Sequence, residues 1–101
     1  MNTFDAIYIA VSKIPKGYVT TYGRVAEYVG INNPRIVGYA MHSNKTPTFV
    51  PCHRVVSKYG GFAPGYAFGG LTVQKQLLQK EGIAFIGQFV NLKKHLYTFS
   101  Q

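Results

Sequence analysis

The sequence predicts a mainly α domain with a small wing of strand and loop, in other words a winged helix-turn-helix-like domain. Apolar residues recur at helical spacing in three short segments before residue 44. Only a few residues, around Gly30 to Asn33, separate the second segment from the third. Residues 58–70 then contain five glycines and one proline, a composition typical of a hairpin or loop.

The first two helices are predicted from capping and apolar spacing. The first spans residues 3–14, with Thr3 as its cap and Pro15 as its stop. The second follows a cap at Thr20 or Thr21 and ends at Gly30. The residues predicted to face inward on these helices and on the third are Phe4, Ile7, Tyr8, Val11, Ile14, Tyr22, Val25, Ala26, Val29, Val37, Ala40, Met41 and Asn44.

The third helix begins with Asn33 and Pro34, an N-cap and first-turn signature, and runs to about Ser43. Two short helices joined by a tight turn fit a helix-turn-helix, whose second helix enters a DNA groove. A helical hairpin in an ordinary core would show the same pattern. The helices alone therefore leave both interpretations open.

The second half of the chain is predicted to be less regular. Residues 46–56 are rich in proline and β-branched side chains and should be extended. A fourth helix is predicted over residues 71–81, ending at Gly82, with Leu77, Leu78 and either Val73 or Leu71 facing inward. Residues 83–99 should form a strand and a packed tail. Because 101 residues support one core, residues 1–101 are expected to form a single domain.

Composition narrows the class of protein. Apolar residues make up 47% of the chain and aromatic residues 15%, which indicates a packed globule. No apolar run reaches the ~18 residues of a membrane-spanning helix. Residues 1–5 lack the charged segment of a signal peptide. We therefore expect no membrane partner and a cytoplasmic location, or a nuclear one in a eukaryote.

The charge balance favours a polyanionic partner. Eleven Lys and Arg against three Asp and Glu give a formal charge of +8, and nucleic acids bind such proteins with release of counterions. A basic surface that serves solubility alone remains the alternative. Cys52 is the one cysteine, and with three scattered histidines it matches no zinc spacing. We expect a free thiol, no metal, no cofactor and no obligate protein partner.

Cys52 is followed directly by a base and a cation, His53 and Arg54. Such neighbours lower the pKa of a thiol and favour the thiolate, which is the nucleophile. Successive side chains of an extended segment point to opposite faces, however, so adjacency in sequence is weak evidence. A buried and unreactive cysteine is the commoner interpretation of an isolated Cys.

The string Pro51-Cys52-His53-Arg54-Val55 resembles the active-site signature of the O6-alkylguanine-DNA alkyltransferases, also called methylated-DNA–protein-cysteine methyltransferases. Further landmarks of that family follow in the same order over about residues 4–86. They are the helix-turn-helix entry at residues 14–23, a recognition helix at residues 34–41, the hinge asparagine Asn44, a pocket loop at residues 65–71 and a helix ending in a carboxylate at residues 77–82. Residues 87–101 form a tail of unassigned role.

The resemblance implies a role for each matched residue. Cys52 accepts the alkyl group, His53 removes its proton through a water molecule, and Glu81 orients His53. Asn44 is the hinge residue, and Tyr22 donates a hydrogen bond toward guanine N3. A surface charge at the end of a helix remains the alternative for Glu81, and an ordinary core aromatic for Tyr22.

The resemblance also implies a partner: double-stranded DNA containing O6-alkylguanine, bound at its minor groove with the damaged base flipped out. Arg35 would fill the gap in the base stack, since its planar guanidinium can stack and donate hydrogen bonds. The implied DNA-binding residues are Thr21, Tyr22, Pro34, Arg35, Gly38, Ala40, Met41 and Arg54. The implied base pocket consists of Val55, Gly65, Tyr66 and Ala67.

The chain departs from the family pattern in three places. The resemblance implies that the family's usual N-terminal domain is absent, and we expect the catalytic and DNA-binding half alone. The turn between Gly30 and Arg35 is about one residue shorter than usual. The loop from Cys52 to Leu71 is about two residues longer, with Phe68 inserted. The substrate range is expected to differ there.

Two alternatives to alkyl transfer differ in class. Alkyltransferase-like proteins share the domain and flip O6-alkylguanine, but replace the acceptor cysteine, usually by tryptophan. Because Cys52 is present, we expect one irreversible transfer per molecule rather than recognition alone. A winged-helix regulator without chemistry would explain the charge and the helices, but not the signature around Cys52 together with Asn44 and Glu81.

Overall fold

The computed structural model describes residues 2–46, 49–62 and 70–99 and has the mainly helical architecture that was expected. The elements of the first half are helix α1 (Thr3–Ser12), strand β1 (Thr20–Thr21), helix α2 (Tyr22–Val29) and helix α3 (Pro34–His42). Those of the second half are a 3-10 turn (Cys52–Arg54), strand β2 (Val55–Val56), helix α4 (Gly70–Lys80), strands β3 (Phe85–Ile86) and β4 (Phe89–Val90) and helix α5 (Leu92–His95). Within the described ranges, every helix is too short or too polar to cross a lipid bilayer.

The N-cap of the first helix lies one residue earlier than predicted. Asn2, not Thr3, is the cap, because its side-chain oxygen accepts a hydrogen bond from the backbone N–H of Asp5 at 2.9 Å. The helix ends at Ser12 rather than at Ile14. A proline follows Ile14, and the residue before a proline avoids helical geometry.

Helices α2 and α3 form the helix-turn-helix. Thr21 caps α2 by accepting a hydrogen bond from the Arg24 N–H at 3.3 Å, and Gly30 ends the helix with a left-handed φ of 84°. Asn33 caps α3 by accepting from the Arg35 N–H at 3.0 Å. Both predicted caps are confirmed. Helix α1 packs against both members of the pair.

The buried apolar residues form two clusters. The first lies among the three N-terminal helices and consists of Ile7, Ala10, Val11, Ile14, Val25, Ala26, Val37, Ala40, Met41, Val50, Cys52 and Val55. The second lies between α4 and the C-terminal residues and consists of Val19, Val56, Leu78, Ile83 and Val90. Strands β1 and β2 pair in parallel between the clusters, with Thr20 opposite Val55. The catalytic cysteine predicted from the sequence therefore belongs to the first core cluster.

The C-terminal residues are part of the fold. Strands β3 and β4 form an antiparallel hairpin, and Val19 makes a parallel bridge to Leu96. The buried His95 accepts the N–H of Ala84 at Nε2 (2.9 Å), so Nδ1 carries the proton and donates to the carbonyl oxygen of Gly17 at 3.0 Å. The tail, through residue 99, thus ties the segment before β1 to the segment after α4.

Gly60 is a turn position with little room for a side chain. Its φ is 92°, and an added methyl group would lie 2.6 Å from the carbonyl oxygen of Val90, whereas Gly30 has a φ of 84° and open space. Gly30→Ala should lower the free energy of unfolding by about 1 kcal/mol through left-handed strain alone. Gly60→Ala should cost about 2 kcal/mol more, because backbone atoms must shift. Urea unfolding of both variants measures the difference, and equal losses would contradict the close packing of β4 on this turn.

Candidate active site

Cys52 opens the 3-10 turn that leads into β2, and its side chain is 3% exposed. The prediction of an extended segment over residues 46–56 is therefore wrong at Cys52–Arg54. Side-chain hydrogen bonds favour the turn over a strand. The amide of Asn44 donates to the carbonyl of Val50 at 2.8 Å, and the Cys52 N–H reaches the same carbonyl at 2.7 Å. Asn44 in turn accepts hydrogen bonds from Thr46, which fixes its orientation.

Burial raises the pKa of the Cys52 thiol above its ordinary value. Hydrogen bonds from the Asn44 side chain and from the backbone N–H groups of Cys52 and His53 act in the opposite direction but do not outweigh burial. The sequence-based expectation of a lowered thiol pKa is therefore wrong for the protein without DNA. The resting side chain is a neutral thiol that needs a base.

Glu81 joins the 3-10 turn at Cys52–Arg54 to the end of α4. Its carboxylate oxygens lie 3.0 Å from His53 Nε2, 2.9 Å from Arg54 Nε and 2.7 Å from Arg54 Nη2. A carboxylate only accepts hydrogen bonds, so the proton of a neutral His53 sits on Nε2. The lone pair on Nδ1 is then left to take a proton. Glu81 is a member of a polar network and not an isolated surface charge.

The two titratable partners have shifted pKa values that suit a base and its support. Burial lowers the pKa of His53, and the charge of Arg54 adds to this effect, although Glu81 opposes it. For Glu81, burial raises the pKa, but hydrogen bonds from Arg54 and His53 outweigh burial and the net pKa is lowered. At neutral pH the site therefore holds a neutral imidazole beside an ionised carboxylate.

Arg54, for which the resemblance implied a DNA contact, takes part in the polar network around Glu81. Its guanidinium points inward: beside the two bonds to Glu81, Nη1 donates to the carbonyl of Ile14 at 2.8 Å. The side chain is 16% exposed. Three of its N–H donors are engaged within the protein, where they hold Glu81 and the Ile14 carbonyl. The DNA contact implied for this side chain stays a prediction.

Tyr22, the first residue of α2, packs against the first core cluster. Burial and the nearby Cys52 raise the pKa of its phenol, which therefore stays protonated and able to donate a hydrogen bond. Thr21 before it is buried as the helix cap. The structure thus brings Tyr22, Cys52 and His53 to one side of the N-terminal helices.

The face of α3 that is open to solvent carries Pro34 and Arg35, and Gly38 is half-buried. Ala40 and Met41 are 0% and 6% exposed. These two side chains lie on the core face of the helix, and a DNA contact at these positions stays a prediction. Sequence reasoning missed Tyr39, which is 60% exposed on the open side. Helical spacing from Arg35, one turn earlier, would have indicated it.

Of the four residues predicted to form the base pocket, the structure describes Val55. This residue is fully buried in β2, so only its backbone can contact a ligand. Gly65, Tyr66 and Ala67, together with the inserted Phe68, lie outside the described residues.

Gln74 is a second residue that sequence reasoning missed. It lies on α4, is 2% exposed and donates from Nε2 to the carbonyls of His53 (3.1 Å) and Val55 (3.2 Å). The signal was available: Gln74 is one turn before the buried Leu78 and two turns before Glu81, on the inward face of the helix. A polar residue at a buried helical position needs hydrogen-bond partners.

The chain belongs to a known family. The model of that family is described as 6-O-methylguanine DNA methyltransferase, DNA binding domain, and it matches residues 2–83. The methylated-DNA–protein-cysteine methyltransferase of Pyrobaculum aerophilum is 49% identical over 82 residues, which cover 81% of this chain and 53% of that protein. The namesake of Methanothermobacter thermautotrophicus is 42% identical over 78 residues, covering 77% and 43%. The chain spans about half the length of these two relatives.

A third relative matches over nearly its whole length. Alkyltransferase-like protein 1 of Schizosaccharomyces pombe is 35% identical over 100 residues, which cover 93% of each protein. A crystal structure of S. pombe Atl1 in complex with damaged DNA containing O6-carboxymethylguanine superposes with a TM-score of 0.81 at 32% identity, covering 98% of this chain and all of that one. Mycobacterium tuberculosis OGT in complex with DNA gives a TM-score of 0.73 at 29% identity, covering 81% and 49%.

Acid should weaken the folded state through Glu81 and His53. Both have folded-state pKa values below the ordinary 4.5 and 6.5. The unfolded chain therefore binds more protons at these groups, and their contribution to stability is present above these values and lost as the pH falls through them. Glu81→Gln should lower the urea midpoint at pH 7, and its gap from the wild type should narrow below pH 4.5.

The control is Glu27→Gln, which removes an exposed carboxylate on α2. Its midpoint should follow that of the wild type across the pH range. A gap between Glu81→Gln and the wild type that stays constant down to pH 3 would contradict the lowered pKa of Glu81.

Proposed function

We propose that this protein repairs DNA by transferring the alkyl group of O6-alkylguanine irreversibly to Cys52, once per molecule. The observation that carries the proposal is a free, buried thiol whose neighbour in the chain, His53, is hydrogen-bonded to Glu81. A nucleophile, a base with an open Nδ1 and an anion that supports the charged base are the parts that such a transfer needs. We place its action in the compartment that holds the DNA.

The thiol proton of Cys52 passes through a water molecule to Nδ1 of His53, and the resulting imidazolium is stabilised by Glu81. The sulfur then bonds to the alkyl carbon as the bond between that carbon and O6 breaks. The electron pair of the broken bond stays on the guanine. The His53 imidazolium returns its proton through water to the guanine anion, leaving unmodified guanine and an S-alkylcysteine. A thiolate leaves poorly from the carbon of a thioether, so the cysteine is not regenerated and the protein is consumed.

One further group, the phenol of Tyr22, would assist at the guanine. The protonated phenol of Tyr22 can donate to guanine N3, where negative charge develops as the alkyl group leaves. The raised pKa of this phenol keeps the donor in place at neutral pH. The oxygen O6 lies within the base stack of a duplex, so the nucleotide must be flipped out before Cys52 can reach its alkyl group.

We propose double-stranded DNA as the partner, with α3 in the minor groove. The exposed Arg35 on the first turn of α3 would occupy the space that the flipped nucleotide leaves. The formal charge of +8 favours association with any duplex, and the minor groove carries little sequence information. Such binding suits a search for damage rather than for a sequence.

A second candidate is a protein that recognises O6-alkylguanine without transfer. It is favoured by the match to alkyltransferase-like protein 1, which covers 93% of both chains. The lone thiol argues for transfer: Cys52 is buried, free and next to a base. Recognition alone requires no such base, whereas both candidates require the DNA-binding helices.

Intact-protein mass spectrometry after incubation with a duplex containing O6-methylguanine tests the proposal. We expect a gain of about 14 Da, the replacement of the thiol hydrogen by methyl, on Cys52 and saturating at one group per molecule. Cys52→Ala should gain nothing yet still bind the damaged duplex. Tight binding by the wild type without any gain in mass would favour recognition alone, and transfer by Cys52→Ala would exclude Cys52 as the acceptor.

Arg35→Ala should separate base flipping from chemistry. Transfer from the duplex should slow roughly tenfold or more, since an unfilled stack returns the base to the helix. Transfer from free O6-benzylguanine should be unchanged, because that base needs no flipping. Lys80→Ala removes an exposed cation of α4 and serves as the charge control. An Arg35→Ala variant that reacts with the duplex at the wild-type rate would rule out the stack-filling role.

A further inference from the structure

Gln74 connects α4 to the 3-10 turn at Cys52–Arg54 and to β2. Its Nε2 lies 3.1 Å from the carbonyl oxygen of His53 and 3.2 Å from that of Val55. An amide nitrogen carries two hydrogens, so each carbonyl receives one of them. The residue is 2% exposed, and the two bonds are buried. Such bonds are costly to break, because water cannot replace them.

The same helix controls the other end of His53. Glu81 follows the last residue of α4 and accepts a hydrogen bond from Nε2 of the His53 ring at 3.0 Å. Gln74 and Glu81 are seven residues apart, or about two helical turns, and so lie on one face of the helix. The ring and the carbonyl of His53 are therefore both attached to one rigid element.

We propose that Gln74 is a positioning residue for the alkyl transfer proposed above. It holds the His53 and Val55 carbonyls so that the His53 ring stays on Glu81 and the 3-10 turn keeps its shape around the sulfur of Cys52. The inference rests on the proposed function, yet part of its test needs no DNA.

The turn matters to the thiol directly. The backbone N–H groups of Cys52 and His53 are among the donors that lower the pKa of the thiol against the effect of burial. These donors act only while the turn keeps its hydrogen-bonded geometry. If Gln74 is lost, the His53 carbonyl has to find another partner, and the donors move away from the sulfur.

The first readout is the pH profile of Cys52 alkylation by iodoacetamide, with no DNA present. Gln74→Met keeps the length of the side chain and removes both donors. We expect its alkylation midpoint to move up by half a pH unit or more, which leaves about threefold less thiolate at neutral pH. Gln74→Lys restores N–H donors and should return the profile toward that of the wild type. Gln76→Met, on the exposed side of α4, should change nothing.

The second readout is transfer from the O6-methylguanine duplex. Gln74→Met should slow transfer roughly tenfold or more, since a misplaced base acts poorly, while the Kd for the duplex stays within about twofold. Gln74→Leu is the second variant if Gln74→Met does not fold, and each is assayed well below its Tm. A purely structural residue would lower Tm and leave the profile of the folded protein unchanged.

The outcomes separate the two proposals. If iodoacetamide alkylates Cys52 of the wild type normally but the duplex transfers no methyl group to it, the proposed transfer is refuted. The pH profiles of alkylation would still test the positioning role of Gln74. Wild-type profile and wild-type transfer rate in a folded Gln74→Met or Gln74→Leu protein would overturn the positioning role.

Discussion

The carboxylate of Glu81 is the interaction on which the rest of the site depends. It accepts hydrogen bonds from His53 and twice from Arg54, and Arg54 also donates to the carbonyl of Ile14 at the end of the N-terminal helical region. One acid thus connects α4, the 3-10 turn at Cys52–Arg54 and, through Arg54, the first core cluster. Three charge-assisted bonds offset the cost of desolvating it, which is the condition under which a largely buried ion pair is tolerated.

This network explains the protonation states of the resting site. Arg54 keeps Glu81 ionised and, by its charge, helps to keep His53 neutral. Burial keeps Cys52 protonated. A neutral thiol reacts slowly with electrophiles and oxidants in solution, because the thiolate is the reactive form. Under the proposed function, burial would preserve the acceptor thiol until a substrate reaches the site, which matters for a protein that reacts once.

The sequence predicted well whatever depends on local chemistry. The caps at Thr21 and Asn33 and the apolar face of α3 follow from side-chain type and helical period. The 3-10 turn at Cys52 was missed, because it depends on a hydrogen bond from the side-chain amide of Asn44 to the Val50 carbonyl, which residue type and spacing do not reveal. The inward orientation of the Arg54 side chain and the raised pKa of the Cys52 thiol likewise depend on tertiary packing, which the sequence alone does not show. Gln74 was overlooked because only apolar residues were sought on the inward face of α4.

At neutral pH the resting site holds a neutral His53, protonated on Nε2, against an ionised Glu81. Long-range proton–nitrogen NMR of the imidazole rings measures the protonation of the His53 nitrogens directly at pH 7. The Glu81→Gln variant shows which part of the signal depends on the carboxylate. We expect one protonated nitrogen in His53, Nε2, and a free Nδ1, the pattern of a neutral ring. Two protonated nitrogens at pH 7, lost in Cys52→Ala, would instead indicate a preformed thiolate–imidazolium pair and contradict the account.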